Sequence, residues 1–305
     1  MSHFTVAVFT EENQTIEELL APYQENNMED CPAEYLQFYC VEEEYRDKYE
    51  NDGVEMVKTP DGRLLYPWDD EFKENGQIGY SGVNHKVIQE KGCGKVFVKH
   101  KDFYPDFESF MADWAGYSKD PETGKYGYWE NPNAKWDWYQ VGGRYSGMLK
   151  LKPSATSGDY GSRSWTNKDE IIPEYKVDTV KVKDIDFSLD ENVRKEALRY
   201  WEIVVEKDSP QNEKEEEIEK FAIINPEYLI NKYGTKEEFA KIKSMFSTHA
   251  VITPDGQWYE PGEVGMFGTC SASEEEEFKW KKEFKERFID TANPEWVLTV
   301  VDCHI

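Results

Sequence analysis

The sequence predicts an α+β fold, with a mixed or antiparallel sheet and a helical insertion. Residues 3–9 and 296–305, near the two ends of the chain, are rich in β-branched and aromatic side chains, which is typical of strands. Helical patterns dominate the stretch between residues 184 and 247. Strands at both ends with helices between them favour an α+β domain whose terminal strands pair.

The first third of the chain adds two helices and a turn. Residues 15–20 suit a short helix that stops before Pro22, because the residue before a proline avoids the helical region. Residues 33–49 indicate a longer helix. Residues 59–62 (Thr-Pro-Asp-Gly) place proline and glycine where a type I turn prefers them, and residues 253–256 repeat the pattern. Each tetrapeptide is therefore predicted to form the tip of a hairpin.

The later elements are one strand and several helices. Residues 105–116 predict a helix that begins with a proline in its first turn and ends at a glycine. Residues 175–182 alternate as a strand does. Ser188, Thr235 and Ser273 each precede a glutamate by three positions, which is the capping-box pattern of helix N-termini.

These elements predict a three-part organisation. We expect an α+β core over residues 1–183, a helical insertion over 184–247 and a return to the core over 248–305. The core contains an unusually aromatic segment, residues 126–147. Composition leaves open whether this segment belongs to the core or to an interface.

The charge balance excludes some classes of function. The chain of 305 residues has 62 acidic against 36 basic side chains, a net charge of −26 at pH 7. Such a chain repels a phosphate backbone, so we expect no direct nucleic-acid binding. No apolar run approaches the ~20 residues of a membrane span, and no basic leader precedes an apolar stretch. The five cysteines have no Cys-x-x-Cys pair, and we expect reduced thiols in a soluble, cytoplasmic protein.

One candidate site lies in the aromatic segment, around Asp137 and Arg144. Paired glycines at 142 and 143 permit a positive φ or a close backbone approach, and the arginine after them presents a fork suited to carboxylate or phosphate. Asp137 would orient the arginine, act as a base or bind a metal. The alternative is an aromatic hairpin in which Asp137 and Arg144 form an internal ion pair.

A second candidate site joins the two ends of the chain. Asp302 and His304 project from the same face of a strand, because side chains repeat every two residues. If the terminal strands are neighbours, His3 completes a set of two histidines and one carboxylate. Such a set suits zinc, iron or manganese. The alternative is that these histidines are polar groups at the ends of strands, without a metal.

Several segments resemble an uncharacterised group of phage and prophage proteins. They are residues 1–6 (Met-Ser-His-Phe-Thr-Val), 135–144 (Lys-Trp-Asp-Trp-Tyr-Gln-Val-Gly-Gly-Arg) and 301–305 (Val-Asp-Cys-His-Ile), and residues 20–25 and 255–263 fit the same group. The resemblance implies a phage-derived accessory protein with a shared core at the termini, and it brings no established catalytic residues. Some phage accessory proteins of this size inhibit host defence complexes, so an anti-defence role is also implied.

The resemblance and the charge together favour a non-enzymatic inhibitor in the host cytoplasm. It would bind a host defence or nucleic-acid-processing complex that has a basic surface, because complementary potentials speed encounter. It would need no cofactor, would not contact a membrane, and is compatible with a homo-oligomer. Tryptophan, tyrosine and arginine are common interface anchors. The candidate binding residues are Trp136, Trp138, Tyr139, Arg144, Trp258 and Tyr259.

Two alternatives remain open. One is a metal-assisted hydrolase or nucleotide-processing enzyme, in which a metal activates water and the arginine stabilises an anionic substrate. Its candidate catalytic residues are His3, Asp137, Arg144, Asp302 and His304. The other is a sponge that cages a nucleotide signal in aromatic and glycine-rich loops. The sequence contains no Gly-x-Ser-x-Gly, His-Glu-x-x-His or Gly-x-Gly-x-x-Gly motif, so the serine hydrolase, zincin and dinucleotide-binding classes have no support.

Overall fold

The computed structural model describes residues 2–73, 82–155, 157–164, 168–169, 172–222, 224–265 and 269–305. It confirms the predicted α+β class, with a mixed sheet of seven strands in that part of the chain. The chain forms two compact units. Met1–Tyr35 and Asn131–Ile305 make the first, here called the sheet unit, and Leu36–Glu130 makes the second, here called the inserted unit.

The two units meet in the sequence at 35/36 and 130/131. The boundaries expected from the sequence are at 183/184 and 247/248. Residues 36–130 separate from the expected core because they have sheets and apolar clusters of their own. The expected helical stretch stays within the sheet unit.

The strands of the described residues are β1 (His3–Thr10), β2 (Gln37–Cys40), β3 (Gly53–Lys58), β4 (Leu64–Leu65), β5 (Gly94–Lys99), β6 (Gly127–Glu130), β7 (Trp138–Gly143), β8 (Leu149–Lys150), β9 (Ser162–Arg163), β10 (Lys176–Val177), β11 (Thr179–Lys181), β12 (Ala250–Ile252), β13 (Trp258–Tyr259) and β14 (Val297–His304).

The α-helices in the same ranges are α1 (Ile16–Leu20), α2 (Glu42–Asn51), α3 (His85–Glu90), α4 (His100–Phe103), α5 (Phe107–Phe110), α6 (Glu191–Val204), α7 (Glu213–Phe221), α8 (Pro226–Tyr233), α9 (Lys236–Ser244) and α10 (Glu274–Phe284). Single π-helical turns, Met111–Ala115 and Lys285–Ile289, extend α5 and α10. None of the helices in the described residues is long and apolar enough to cross a membrane.

The sheet unit is built on the pairing of the two terminal strands. β1 and β14 run antiparallel over all eight residues of each strand, so the predicted pairing is confirmed. β12 adds in parallel to the other edge of β1, and β7 adds antiparallel to β14. The order β13-β12-β1-β14-β7-β9, with β11 also on β14, makes the sheet mixed.

Both faces of this sheet are covered. Ala7, Phe9 and Val300 pack on one side with Trp280 and Phe284 of α10. On the other side α1 supplies Leu19 and Leu20, which pack with the alternate residues of β1, β12 and β14. Strands buried on both faces read as continuous apolar runs, which explains the Val-Ala-Val-Phe pattern of β1.

The helical stretch has its own small core, made of Ala197, Trp201, Val204, Leu229, Phe239 and Ala240. Thr235 accepts a hydrogen bond from the amide of Glu238, and Ser273 forms a full capping box with Glu276, as predicted. The N-cap of α6 is Asp190 rather than Ser188, because its carboxylate accepts from two amides of the first turn.

The inserted unit contains the hairpin β3–β4, the strand β5 on the other edge of β3, and the separate pair β2–β6. The helix predicted over 33–49 is wrong in its first half, where β2 pairs with β6. The ring of Tyr39 stacks on that of Tyr128, and the ring of Phe38 meets that of Trp129 edge on. These cross-strand aromatic pairs override the local helical pattern, and the helix α2 begins only at Glu42.

Both predicted Pro-Asp-Gly hairpin tips are confirmed, between β3 and β4 and between β12 and β13. The helix predicted over 105–116 is present as α5 and its π-helical turn, and it ends at Gly116 with a φ of 75°. All five cysteines are free thiols, with Cys31 and Cys303 buried and Cys40 exposed.

Candidate functional site

The candidate site lies at the end of the sheet where β1 begins and β14 finishes. His3 pairs directly with His304, and Thr5 with Asp302. Residues directly opposite in antiparallel strands point to the same face, so His3, Asp302 and His304 share one face. Trp138 pairs with His304 on the next strand and joins them. The structure therefore brings the two histidines together as the sequence predicts.

The first histidine is held by a buried carboxylate. His3 Nδ1 lies 2.8 Å from Oδ1 of Asp302, and the two side chains are 9% and 1% exposed. The other carboxylate oxygen, Oδ2, accepts a hydrogen bond of 2.8 Å from the backbone amide of Arg144. Asp302 thus ties the N-terminal strand to the turn after β7.

The second histidine has a carboxylate of its own. His304 Nδ1 lies 2.7 Å from Oδ1 of Asp137, and the histidine side chain is 5% exposed. The same oxygen accepts from the amide of Trp138 at 2.7 Å. Asp137 therefore faces His304. In place of the aromatic hairpin, the residues that follow Asp137 form β7, which pairs with β14 and with β9.

The rings of the two histidines and Trp138 pack together. The centroids of His3 and His304 are 4.9 Å apart, edge to face. Trp138 stacks on His304 at 5.0 Å and meets His3 edge on at 5.3 Å. Trp138 is 42% exposed, so it forms the outer layer of the cluster. We call these five residues, His3, Asp137, Trp138, Asp302 and His304, the His–Asp cluster.

This geometry assigns the tautomers of both rings. An ionised carboxylate only accepts hydrogen bonds, so each Nδ1 carries hydrogen toward its aspartate. In the neutral form of each ring, Nε2 is then the basic nitrogen. A histidine oriented in this way by a carboxylate can take or give a proton at Nε2.

The glycine pair before Arg144 is required by this arrangement. Gly143 has a φ of 54°, and a Cβ atom there would lie 2.4 Å from Oδ2 of Asp302. Gly142 has a φ of 76° and approaches Asp178 in the same manner. The predicted close approach at positive φ is confirmed, and its partners are two buried carboxylates.

Asp178 was not among the residues predicted for the site. It is fully buried and accepts hydrogen bonds from the amides of Gly147 and Gly161. Asp302 and Asp178 therefore hold the two ends of the turn 143–147. The available signal was an aspartate between Val177 and Thr179, inside an otherwise strand-like run.

Of the aromatic residues predicted as interface anchors, Trp136 is buried, and Tyr139, Trp258 and Tyr259 are partly buried. Trp136 is 5% exposed, and its indole donates to the carbonyl of Leu20. Tyr139 and Trp258 pack against the apolar cluster on the face of the sheet that α1 covers. Tyr259 packs against the cluster on the other face, which α10 covers. Burial raises the pKa of Tyr139 to about 12. Trp138 and Arg144 remain at the surface.

The donor set does not have the form of the predicted metal site. His3 and His304 each turn Nδ1 to a different carboxylate, Asp302 or Asp137. Within the described residues, no group of three or more His, Cys, Asp or Glu side chains is arranged to hold a metal ion. The observed chemistry is that of two His–carboxylate pairs.

Comparison with known proteins identifies no relative of this chain. No protein-family model, curated protein or solved structure matches the chain.

Proposed function

We propose that the protein is a hydrolytic, nucleotide-processing enzyme that uses His3 and His304 as a general acid–base pair. The observation that supports this proposal is the pair of adjacent histidines, each oriented by its own aspartate at 2.7–2.8 Å. The side chains of His3 and His304 are 9% and 5% exposed, and ionisable pairs buried in this way are candidates for functional sites.

Two histidines suit the hydrolysis of a phosphoester. One ring takes a proton from the attacking water, and the other gives a proton to the oxygen of the leaving group. After this step the first ring carries an extra proton and the second ring lacks one. Transfer of a proton from the first ring to the second, directly or through water, restores both rings for the next turnover. Arg144, which lies in the turn held by Asp302, would stabilise negative charge on the phosphoryl oxygens. Trp138 offers an exposed ring face on which a base stacks.

Turnover of defined probes tests the proposal. The probes are bis(p-nitrophenyl) phosphate, 2′,3′-cyclic mononucleotides and ribonucleoside triphosphates, each incubated with the protein in the presence of a chelator. We expect hydrolysis of at least one probe, and a loss of about 100-fold or more in His3→Gln and His304→Gln.

The matched control is His85→Gln, at an exposed position in the inserted unit. It should hydrolyse the probe at the rate of the unaltered protein. Absence of hydrolysis for every probe overturns the proposal, as does a rate that neither cluster variant changes.

We also propose a second candidate, the acidic accessory protein of phage origin that binds and inhibits a host protein complex. The observation that favours it is the surface around α7. Glu213, Glu216, Glu217 and Glu219 are exposed on this helix, and Phe221 at its end is 64% exposed. Exposed apolar side chains bordered by like charges suit a basic partner with an apolar anchor.

Matched variants separate this binding from non-specific adhesion. Phe221→Ala and the triple reversal Glu213→Lys, Glu216→Lys, Glu217→Lys should both release a host complex that the unaltered protein retains. Phe97→Ala is the control, because Phe97 is 66% exposed on the inserted unit. A complex that is retained equally by all variants excludes this surface.

A further inference from the structure

A cavity of about 440 Å³ lies in the sheet unit, between the sheet and the end of α10. Its lining comes from the end of β1, the hairpin tip before β13, the π-helical turn after α10 and the residues before β14. Phe9 lies six residues along β1 from His3, which is about 20 Å at the rise of a strand. The cavity is therefore separate from the His–Asp cluster, and its volume is in the range of sites that hold small ligands.

Aromatic rings line much of this cavity, namely those of Phe9, Tyr259, Phe288 and Trp296. Phe9 and Phe288 are buried members of the apolar cluster that α10 covers. The ring of Trp296 meets that of Phe9 edge on, with centroids 6.3 Å apart. The rings of Tyr259 and Phe288 are tilted against each other at 5.5 Å. Such walls suit the apolar part of a ligand.

Two carboxylates also line the cavity, and each contacts another residue of the lining. Oε1 of Glu11 accepts a hydrogen bond of 3.3 Å from the indole of Trp296. The carboxylate of Asp255 accepts a hydrogen bond from the hydroxyl group of Thr253. These donors are neutral, and neither carboxylate forms a salt bridge with any residue that the structure describes. Both negative charges are therefore available to a cationic group of a ligand.

The lining contains one cationic side chain, Arg287, on a different element of the fold. Its guanidinium lies 5.0 Å from the ring centre of Phe288, which also lines the cavity, and 5.3 Å from that of Trp280. Arg287 belongs to the π-helical turn after α10, and such turns are frequent at functional sites. The nearby Asp290 pairs with Lys285, and across the described ranges Arg287 forms no salt bridge. Its donors are therefore available to a carboxylate.

We infer that this cavity binds a free α-amino acid with a large apolar side chain. The ammonium group of the ligand lies toward Glu11 and Asp255, its carboxylate toward Arg287, and its side chain against the aromatic rings. An organic cation would leave the guanidinium unpaired, and an anion would meet two carboxylates. The inference uses no residue of the His–Asp cluster, so it goes beyond the proposed function and the two can fail separately.

Calorimetric titration with L-phenylalanine and two of its analogues tests the inference. Phenethylamine lacks the carboxylate of L-phenylalanine, and 3-phenylpropionate lacks its ammonium group. We expect saturable binding of L-phenylalanine and an affinity about tenfold or more lower for each analogue, because each loses a charge-assisted contact.

Substitutions assign the two charges of the ligand to their partners. Arg287→Gln should weaken binding of L-phenylalanine about tenfold without weakening that of phenethylamine. Glu11→Gln should weaken binding of both about five- to tenfold. The matched controls are Lys285→Gln and Glu12→Gln, at exposed positions close in sequence and outside the lining. They should bind L-phenylalanine as the unaltered protein does.

Hydrogen exchange locates the ligand without a substitution at the cavity. Exchange at residues 285–291 should slow when L-phenylalanine is added, and His304→Gln should bind it unchanged even where hydrolysis is lost. Failure to saturate at millimolar L-phenylalanine overturns the inference. Equal affinity for phenethylamine would make the cavity a cation site, and equal affinity for 3-phenylpropionate an anion site; either result also overturns it. So does unchanged exchange at 285–291, or an Arg287→Gln variant that binds as Lys285→Gln does.

Discussion

His3 and His304 face each other from directly paired positions of the first and last strands, with their ring centroids 4.9 Å apart. Each ring is bound by a different aspartate. The arrangement places the two imidazole rings in one small volume. The stability of the turn beside them and the protection of β14 are therefore measurable consequences of the same geometry.

Gly143→Ala should destabilise the protein more than an ordinary glycine substitution. Both Gly143 and Gly256 have a positive φ, at 54° and 80°, but a Cβ atom at 256 would meet no atom within 4 Å. Gly256→Ala should therefore lower the free energy of unfolding by about 1–2 kcal/mol, because an alanine is strained at positive φ. Gly143→Ala adds the collision with Asp302, about 1–3 kcal/mol more. Urea unfolding of both variants gives the difference, and equal values would contradict the close approach.

Asp302→Asn should lower the free energy of unfolding by about 1–3 kcal/mol, because a buried acceptor of two hydrogen bonds loses its charge and part of its bonding. Asp178→Asn removes the matching carboxylate at the other end of the turn and should cost a similar amount. The two differ in function: Asp302→Asn should also abolish hydrolysis, and Asp178→Asn should leave it measurable. If Asp302→Asn kept its hydrolytic activity and Asp178→Asn lost it, Asp302 would not belong to the catalytic site.

His100 should make the inserted unit less stable in acid. Burial lowers the pKa of His100, whose Nδ1 is a buried atom without a hydrogen-bond partner among the described residues. The unfolded state therefore binds a proton more readily than the folded state. Its contribution to stability is complete above the unfolded value, about 6.5, and is lost as the pH falls through the folded value.

Hydrogen exchange of peptides within 36–130 at pH 7.5 and at pH 5.5 measures this effect. Exchange should be faster at the lower pH after correction for the intrinsic rate. His100→Gln should reduce the difference, and His85→Gln, at an exposed position of the same unit, should preserve it. A pH effect that survives in His100→Gln would assign it to another group.

Cys303 should resist thiol reagents as long as β14 stays in the sheet. Burial raises the pKa of this thiol well above its usual value, and the charges of Asp302 and Asp137 raise it further. The thiolate is the reactive form, so labelling of Cys303 should require unfolding, whereas the exposed Cys40 labels at once. Mass spectrometry after a timed pulse of N-ethylmaleimide distinguishes the two. Rapid labelling of native Cys303 would contradict the buried position of β14.

The parts of the fold that the sequence predicts well depend on local chemistry. Both Pro-Asp-Gly turns, the capping box at Ser273 and the apolar pattern of β1 and β14 need only neighbouring residues to be recognised. The strand β2 was missed because its stability depends on rings about 90 positions away, on β6. No local pattern contains that contact.

In the candidate site, too, features set by local pattern are predictable and contacts between distant residues are not. The pairing of terminal strands and the period of two along a strand place His3, Asp302 and His304 on one face. The partner of His304 was not predictable, because Asp137 reaches it only through the register of β7 on β14. Trp136 and Trp138 flank that aspartate, yet one is buried and the other exposed. Composition alone does not distinguish them.

The contact between His3 and Asp302 also bears on how the protein folds. The two residues are 299 positions apart in the chain, so closing this contact orders a very long loop, and such contacts slow folding. The first strand must remain without its partner until β14 is available, with an unpaired edge that favours misassociation. The His–Asp cluster is therefore completed late, and acquisition of its activity would report the final stage of folding.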